Sequence, residues 1–256
     1  MRLIKLMILA VIAFLPVFSF AQGCMEASSD EGVNVVGYIQ AQYEYMFGED
    51  ENTSEFTFNR ARMGLIGNIP YDFSYYLMFE FSPNIESAPY LLDGFITYSR
   101  LAPWFNVSLG QFKSPFSLEL NTPCQGLHTI NRSMVVTQLA SPDRDRGIMF
   151  TGKFESYVKY AVAITNGRGR EKLEDNENKA VAGRVVISPV EFVSIGGSFS
   201  SWKDPARDEA GEIIAEADED ERTRYAVDLD LKYDDLLVQG EYIAGENTGS
   251  DPIWGG

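Results

Sequence analysis

The segment Tyr38-Ile39-Gln40-Ala41-Gln42-Tyr43-Glu44-Tyr45 alternates between apolar and polar side chains. Because successive side chains of a β-strand point to opposite faces, this period of two places Ile39 and Tyr43 on one face and Glu44 on the other. The same period recurs along the chain. It predicts about eleven antiparallel strands, over 33–45, 60–67, 73–81, 90–99, 104–112, 148–154, 157–165, 180–188, 192–201, 225–233 and 236–243. The predicted fold class is therefore all-β.

The composition is that of a chain with extensive apolar surface. Its 256 residues are 45% hydrophobic and 13% aromatic, which excludes collagen-like, coiled-coil and disordered classes. A formal net charge of −16 argues against an open basic face for nucleic acid. The single histidine, His128, excludes a multi-histidine metal centre, and Cys24 and Cys124 are too few for a disulfide scaffold or a thiolate metal site. We therefore expect no metal, no cofactor and no nucleic-acid partner.

The first 21 residues are typical of a secretory signal peptide. Arg2 and Lys5 precede an apolar run over 6–20, and residues 19–21 form a small-x-small cleavage pattern. The run is short for a spanning helix, so an N-terminal membrane anchor is the less favoured alternative. Lipid attachment at Cys24 is a second alternative, although residues 21–23 lack the expected upstream leucine. Residues 1–21 are therefore predicted to be cleaved, which leaves 22–256 as the mature β-domain.

Two architectures place apolar and polar residues on opposite faces of their strands. A soluble sandwich buries the apolar face, whereas an outer-membrane barrel turns it towards lipid and keeps a polar lumen. The connections distinguish them, because long hydrophilic connections alternate with short turns. The long ones are 48–55, 82–89, 113–147, 166–179 and 202–224. This alternation is expected when one end of a barrel faces the outside and the other faces the periplasm, so we predict an outer-membrane barrel.

Two further features concern the barrel as a whole. Aromatic residues collect near the strand ends, where amphipathic rings suit the two membrane interfaces. The chain also stops after an outward-running strand and lacks the terminal aromatic strand of a finished barrel. Residues 22–256 are therefore predicted to be an incomplete barrel domain, the N-terminal portion of a longer protein.

The longest connection, 113–147, is predicted to fold inward and narrow the pore. Its segment 127–140 carries apolar residues near helical spacing, and an apolar face needs a surface such as the inner wall to pack against. Its basic residues outnumber its acidic ones; they are Lys113, Arg132, Arg144 and Arg146. Because residues 143–146 alternate Asp and Arg, a self-neutralising salt-bridge cluster that anchors the connection is an equal alternative.

Cations on the polar strand faces complete a candidate anion path. Arg60 and Arg62 repeat at period two on one face, and Lys153 lies on the polar face of another strand. Guanidinium groups that line a pore can pass an anion from one contact to the next. Carboxylates on neighbouring strands could instead form ion pairs with these cations and neutralise them within the barrel wall, and this alternative stays open.

His128 suggests a hydrolase hypothesis, with Ser133 or Ser141 and an aspartate of the same connection. No nucleophile elbow or oxyanion signature accompanies these residues. A histidine that packs in the connection or lies at the surface is the favoured alternative. We therefore expect no catalytic residues and no enzyme activity.

Several motifs, in this order, resemble the phosphate-selective porin O and P family: FNRAR at 58–62, GQFKSPFS at 110–117, DRDRG at 143–147 and YAVAITNG at 160–167. The resemblance implies an outer-membrane porin of about sixteen strands, typically trimeric, whose third loop folds into the lumen. It also implies anion conduction past arginines and lysines.

These implications give an overall expectation. The protein is expected in the outer membrane of a Gram-negative-type bacterium, surrounded by outer-membrane lipid and forming a homotrimer when full length. It is expected to pass small hydrophilic solutes, anions and phosphate among them. A non-conducting barrel that acts as an adhesin or structural anchor is the alternative.

Overall fold

The computed structural model of the chain describes residues 32–48, 52–85, 87–140, 142–174, 177–204, 220–247 and 253–256. The predicted signal peptide, residues 1–21, lies outside the described residues, as do Cys24, Ser141 and most of the predicted connection 202–224.

Twelve antiparallel strands form one sheet, in which each strand pairs with its neighbours in the chain. They are β1 (Gly32–Met46), β2 (Thr53–Ile69), β3 (Phe73–Glu80), β4 (Tyr90–Leu101), β5 (Phe105–Lys113), β6 (Arg144–Phe154), β7 (Val158–Thr165), β8 (Ala180–Val190), β9 (Val193–Asp204), β10 (Asp220–Tyr233), β11 (Leu236–Asn247) and β12 (Ile253–Gly255). The predicted all-β fold is confirmed. β12 was not predicted, because three residues are too few to show a period of two. Among the described residues, β1 and β12 are the edges of a sheet that is not closed.

Short turns and long connections alternate as predicted, but three long connections are shorter than expected. One of them runs over 205–219 instead of 202–224, because β9 ends at Asp204 and β10 begins at Asp220. β2 begins at Thr53 and β6 begins at Arg144, so the other two run over 47–52 and 114–143 instead of 48–55 and 113–147. The ladder between β5 and β6 continues to the pair Lys113 and Arg144. Arg144, at this end of the ladder, forms ion pairs with Asp93 and Asp143.

The two faces of the sheet differ in polarity in the way that the period of two predicts. Met63 and Leu109 are 52% and 65% exposed, whereas Glu80 and Asp228 are 0% and 6% exposed. We call the face that carries Glu80 and Asp228 the polar face and the opposite one the apolar face. An exposed apolar face and a buried charged face invert the arrangement of a soluble protein, as expected where the apolar face meets lipid.

The connection 114–143 contains two short helices, α1 (Leu118–Asn121) and α2 (Met134–Leu139), and a 3-10 turn at Cys124–Gly126. Of the segment 127–140, whose apolar residues have helical spacing, only α2 is helical. The hydroxyl of Ser133 caps the start of α2 by accepting from the Val136 N–H. Both helices pack onto β10 and β11 in one buried cluster, which comprises Phe116, Leu120, Val136, Leu139, Ala140, Ala226 and Ile243. No helix among the described residues is long and apolar enough to cross a membrane.

Candidate functional site

One end of the connection 114–143 is anchored to the polar face by Glu241 of β11. The Glu241 carboxylate accepts from the hydroxyl of Ser117 at 2.9 Å, from the main-chain N–H of Leu118 at 2.7 Å and from that of Glu119 at 3.2 Å. These are the first main-chain donors of α1, which have no partner within a helix. A carboxylate suits them because charge-assisted hydrogen bonds are stronger than neutral ones.

The middle of the connection is held by Arg60 of β2. Its guanidinium donates to the carbonyl oxygen of Ile130 at 2.9 Å, to Oδ1 of Asn131 at 3.1 Å and to Oε1 of Gln40 at 2.6 Å. All three acceptors are neutral, so these bonds orient the guanidinium without cancelling its charge. The connection thus crosses the polar face from β11 to β2.

Between these two anchors, Cys124 lies among basic side chains. Its sulfur accepts from Nη1 of Arg62 at 3.1 Å and from Nη1 of Arg132 at 3.6 Å. Burial by itself raises the pKa of the Cys124 thiol, but the positive charges of Arg62 and Arg132 outweigh burial and lower this pKa to about 6. At neutral pH the thiol is therefore an anion among cations.

Five of the predicted cations lie in, beside or in contact with the connection 114–143, and we call them the basic cluster: Arg60, Arg62, Lys113, Arg132 and Arg144. Two of them are matched by carboxylates. Arg62 forms an ion pair with Glu80 at 2.7 Å, and Arg144 forms ion pairs with Asp93 at 2.9 Å and with Asp143 at 2.8 Å. For Arg62 and Arg144, these ion pairs are the alternative that the sequence analysis left open, in which carboxylates neutralise the cations of the polar face.

The other three members of the basic cluster have no ion pair with a described carboxylate. Arg132 donates to three main-chain carbonyl oxygens, those of Glu119, Leu120 and Thr122, at 3.2, 3.1 and 2.9 Å. Lys113 stands opposite Arg144 in the ladder of β5 and β6 and interacts electrostatically with Arg132. Arg60 and Arg132 therefore retain positive charge at this part of the polar face, and Lys113 is the third basic side chain there.

Two predicted pore-lining residues are not in the basic cluster. Arg146 stands opposite Gln111, and its guanidinium donates to the carbonyl oxygen of Lys172 in a cleft that it shares with the exposed Leu109 of the apolar face. Of the two neighbours Asp145 and Arg146, it is Asp145 whose side chain is buried on the polar face. Lys153 stands opposite Lys159, at the far end of β6 beside the turn 155–157.

The Asp-Arg run at 143–146 braces the connection only in part. Asp143 pairs with Arg144. Burial raises the pKa of Asp143, but the charges of Arg144 and Arg170 and the hydrogen bond from Arg144 together more than offset burial and lower this pKa. The carboxylate of Asp145 instead accepts from the main-chain N–H groups of Arg146 and Gly167. The run is therefore not a closed set of ion pairs, because Arg146 contributes only its backbone to it.

Sequence reasoning missed the structural importance of Glu241 and of the pair Arg184 and Asp228. Arg184 Nη1 and Nη2 donate to Oδ2 and Oδ1 of Asp228 at 2.6 and 2.9 Å, and Nη1 also donates to Ser198 Oγ at 2.9 Å. The period of two placed these residues on polar faces. No local signal could pair residues 44 positions apart.

The histidine of the hydrolase hypothesis has no catalytic arrangement around it among the described residues. His128 is exposed, and the hydroxyl of Ser133 donates to the Glu119 carboxylate at 2.7 Å while it caps α2. The serine is therefore engaged in capping, and no hydrogen bond links it to the imidazole.

Comparison with known proteins gives two similar solved structures. An anion-selective porin from Comamonas acidovorans is 11% identical, with 85% of this chain and 80% of that chain covered and a TM-score of 0.45. OmpT, an outer membrane protein of Vibrio cholerae folded in vitro and in its trimer form, is 11% identical, with 88% and 81% covered and a TM-score of 0.43. No curated protein matches the chain significantly. The sequence profile described as phosphate-selective porin O and P matches residues 33–252, and the chain therefore belongs to that family of porins.

Proposed function

We propose that the protein is an outer-membrane channel for the passive diffusion of small hydrophilic solutes, with a preference for anions, phosphate among them. One observation carries the proposal. Arg60, Lys113 and Arg132 come from β2, β5 and the connection 114–143, and each lies in, beside or in contact with that connection without an ion pair to a described carboxylate. Membership in a porin family supports a channel rather than an enzyme.

The position of these cations explains how they would select ions. Where the connection 114–143 narrows the passage, a permeating ion loses part of its water and comes close to fixed charges. A unit charge about 4 Å away contributes about 1 kcal/mol in bulk water and about 4 kcal/mol at an effective dielectric constant of about 20. Charges at a wide, salt-filled mouth are screened within about 10 Å. The basic cluster therefore outweighs the acidic outer connections.

Lys113 is the cleanest position for a test. Arg132 supports the connection through three carbonyl oxygens and Arg144 is held in buried ion pairs, so their substitution would disturb the fold as well as the charge. In planar bilayers under a salt gradient, Lys113→Glu should lower the anion-to-cation permeability ratio about tenfold or more, because a change of 1.4 kcal/mol is tenfold. Neutralising Asp218, Asp220 and Glu221 is the matched control and should leave the reversal potential nearly unchanged.

Two outcomes would contradict the proposal. A reversal potential that follows the acidic residues 218–221 and ignores Lys113→Glu would place ion selection at the mouth. A complete lack of conductance by inserted protein would favour the non-conducting adhesin or structural anchor.

We further propose that residues 1–21 are removed on export and that the protein assembles as a homotrimer surrounded by outer-membrane lipid. The charged start and the pattern at 19–21 support cleavage, and the family supports the trimer. Mature protein that begins at Gln22 and a trimeric mass in detergent are the expected results. A retained leader would contradict the first proposal, and a monomeric mass the second.

A further inference from the structure

The hairpin of β1 and β2 extends past its neighbour β3 at the end of the sheet that bears the long connections. The ladder between β2 and β3 covers only residues 62–69 of β2, whereas β1 pairs with β2 as far as Thr53. We call residues 53–57 of β2 the projecting segment. It has β1 on one side and no described strand on the other, so it presents an open strand edge within the sheet.

The main-chain groups at this open edge can be identified from Phe58. Its N–H donates to Oδ1 of Asn84 at 2.9 Å, and its carbonyl oxygen accepts from the hydroxyl of Ser82 at 2.7 Å, so both groups point away from β1. Main-chain groups of alternate residues in a strand point to the same edge. The N–H and C=O groups of Ser54 and Phe56 therefore also point away from β1, and none of them has a hydrogen-bond partner among the described residues.

The two faces of the projecting segment carry different side chains. On one face Phe56 is 86% exposed, and its ring lies 5.1 Å from that of Tyr43 in β1. On the other face Glu55 stands directly opposite Glu44 of β1, and like charges in this position destabilise a sheet. Glu44 accepts from the side-chain amide of Gln42, which is neutral, and neither carboxylate forms an ion pair with a described residue. The edge thus offers an aromatic surface on one face and two uncompensated negative charges on the other.

The length of β2 places the projecting segment in water. The apolar band of an outer-membrane barrel is about 25 Å tall, which takes about ten residues of a tilted strand. β2 has 17 residues, and its far end, Ile69, lies at the short turn before β3. Residues 53–57 therefore lie beyond the band on the side of the long connections, where a molecule from the aqueous phase can reach them. This step rests on the membrane location proposed above.

We propose that the projecting segment binds an extended peptide by strand addition, and that this peptide alternates basic and apolar side chains. An open edge with free N–H and C=O groups is a template for a further strand, here at Ser54 and Phe56. Because side chains of neighbouring strands share a face, the apolar residues of the peptide would pack on Phe56 and its basic residues would lie beside Glu55. A second copy of this chain fits less well, since pairing of two such edges would bring the carboxylates of both copies together.

The test measures the binding of fluorescent peptides to the full chain in detergent micelles by fluorescence anisotropy. A peptide of alternating lysine and valine should bind, and its dissociation constant should rise about fivefold or more in Glu55→Lys, which places a cation beside the lysines. Ser54→Pro should have an effect of similar size, because proline removes a free N–H that β1 does not use. Glu155→Lys, the same change of charge in the exposed turn 155–157 at the other end of the sheet, is the matched control and should bind like the wild type. A peptide of the same composition with its lysines and valines in two separate blocks should bind more weakly to the wild type, because it lacks the period of two.

Three outcomes would overturn the proposal. Equal binding of the alternating and the block peptide would indicate adsorption to the micelle or unspecific attraction between charges. Unchanged binding in both Glu55→Lys and Ser54→Pro would place the peptide elsewhere on the protein. A dimer of the wild type that Ser54→Pro abolishes would assign the open edge to a second copy. Conduction is measured separately in bilayers with Lys113→Glu, so failure of one proposal is distinguishable from failure of the other.

Discussion

Replacement of Arg184 by alanine tests whether the connection 114–143 covers the polar face as the structure shows. The side chains of Arg184 and Asp228 are 3% and 2% exposed and joined at 2.6 Å. Ser198, which accepts from Arg184, also accepts from the main-chain N–H of Ser117 at 3.2 Å. The burial of this ion pair therefore accompanies the docking of the connection.

The expected loss of stability is large because Arg184→Ala leaves the Asp228 carboxylate buried and alone. Breaking a buried ion pair from one side costs about 3–5 kcal/mol. Arg100→Ala is the matched control, since Arg100 lies 3.7 Å from Asp72 with side chains 70% and 46% exposed. An exposed pair of this kind contributes at most about 1 kcal/mol. The double variant Arg184→Met with Asp228→Leu should recover most of the loss, because it removes both charges.

The free energy of unfolding would be measured by urea titration of the refolded protein in detergent micelles, followed by tryptophan fluorescence. The free energy of unfolding of Arg184→Ala should be lower than that of Arg100→Ala by at least about 2 kcal/mol. Equal losses in the two single variants would show that water reaches Arg184. In that case the connection 114–143 would not cover this part of the polar face, and the reasoning would fail.

Two further predictions concern neighbouring features. A Cβ at Gly196 would overlap the Asp228 carboxylate, whereas a Cβ at Gly197 would meet open space. Gly196→Ala should therefore lower the free energy of unfolding by about 1–3 kcal/mol and Gly197→Ala should not, so equal effects would contradict the geometry. The Cys124 pKa of about 6 means that the thiol is neutral at pH 5 and anionic at pH 7.5, so the basic cluster is more positive at the lower pH. Reversal potentials should show stronger anion preference at pH 5 in the wild type and a smaller step in Cys124→Ser; a step of the same size in the variant would assign it to another group.

The sequence by itself determined the strands and their faces. The alternation that begins at Tyr38 is a local property, because covalent geometry turns each successive side chain of a strand to the opposite face. Once a strand is recognised, the side of Met63 and that of Glu80 follow without knowledge of their neighbours. The alternation of long and short connections is equally local, and it survives in the structure with shifted bounds.

Only the tertiary structure decided which charges meet. The partners of Arg62 and Arg184 depend on the register between strands, and the surroundings of Cys124 depend on the path of the connection 114–143 across the polar face. Arg144 and Arg146 are two residues apart in one strand, yet Arg144 reaches Asp93 while Arg146 lies in the cleft beside Leu109. Coulomb energies vary with distance and burial, which are set by contacts between residues far apart in the chain. The period of two could therefore assign a cation to a face, but it could not tell a paired cation from an unpaired one.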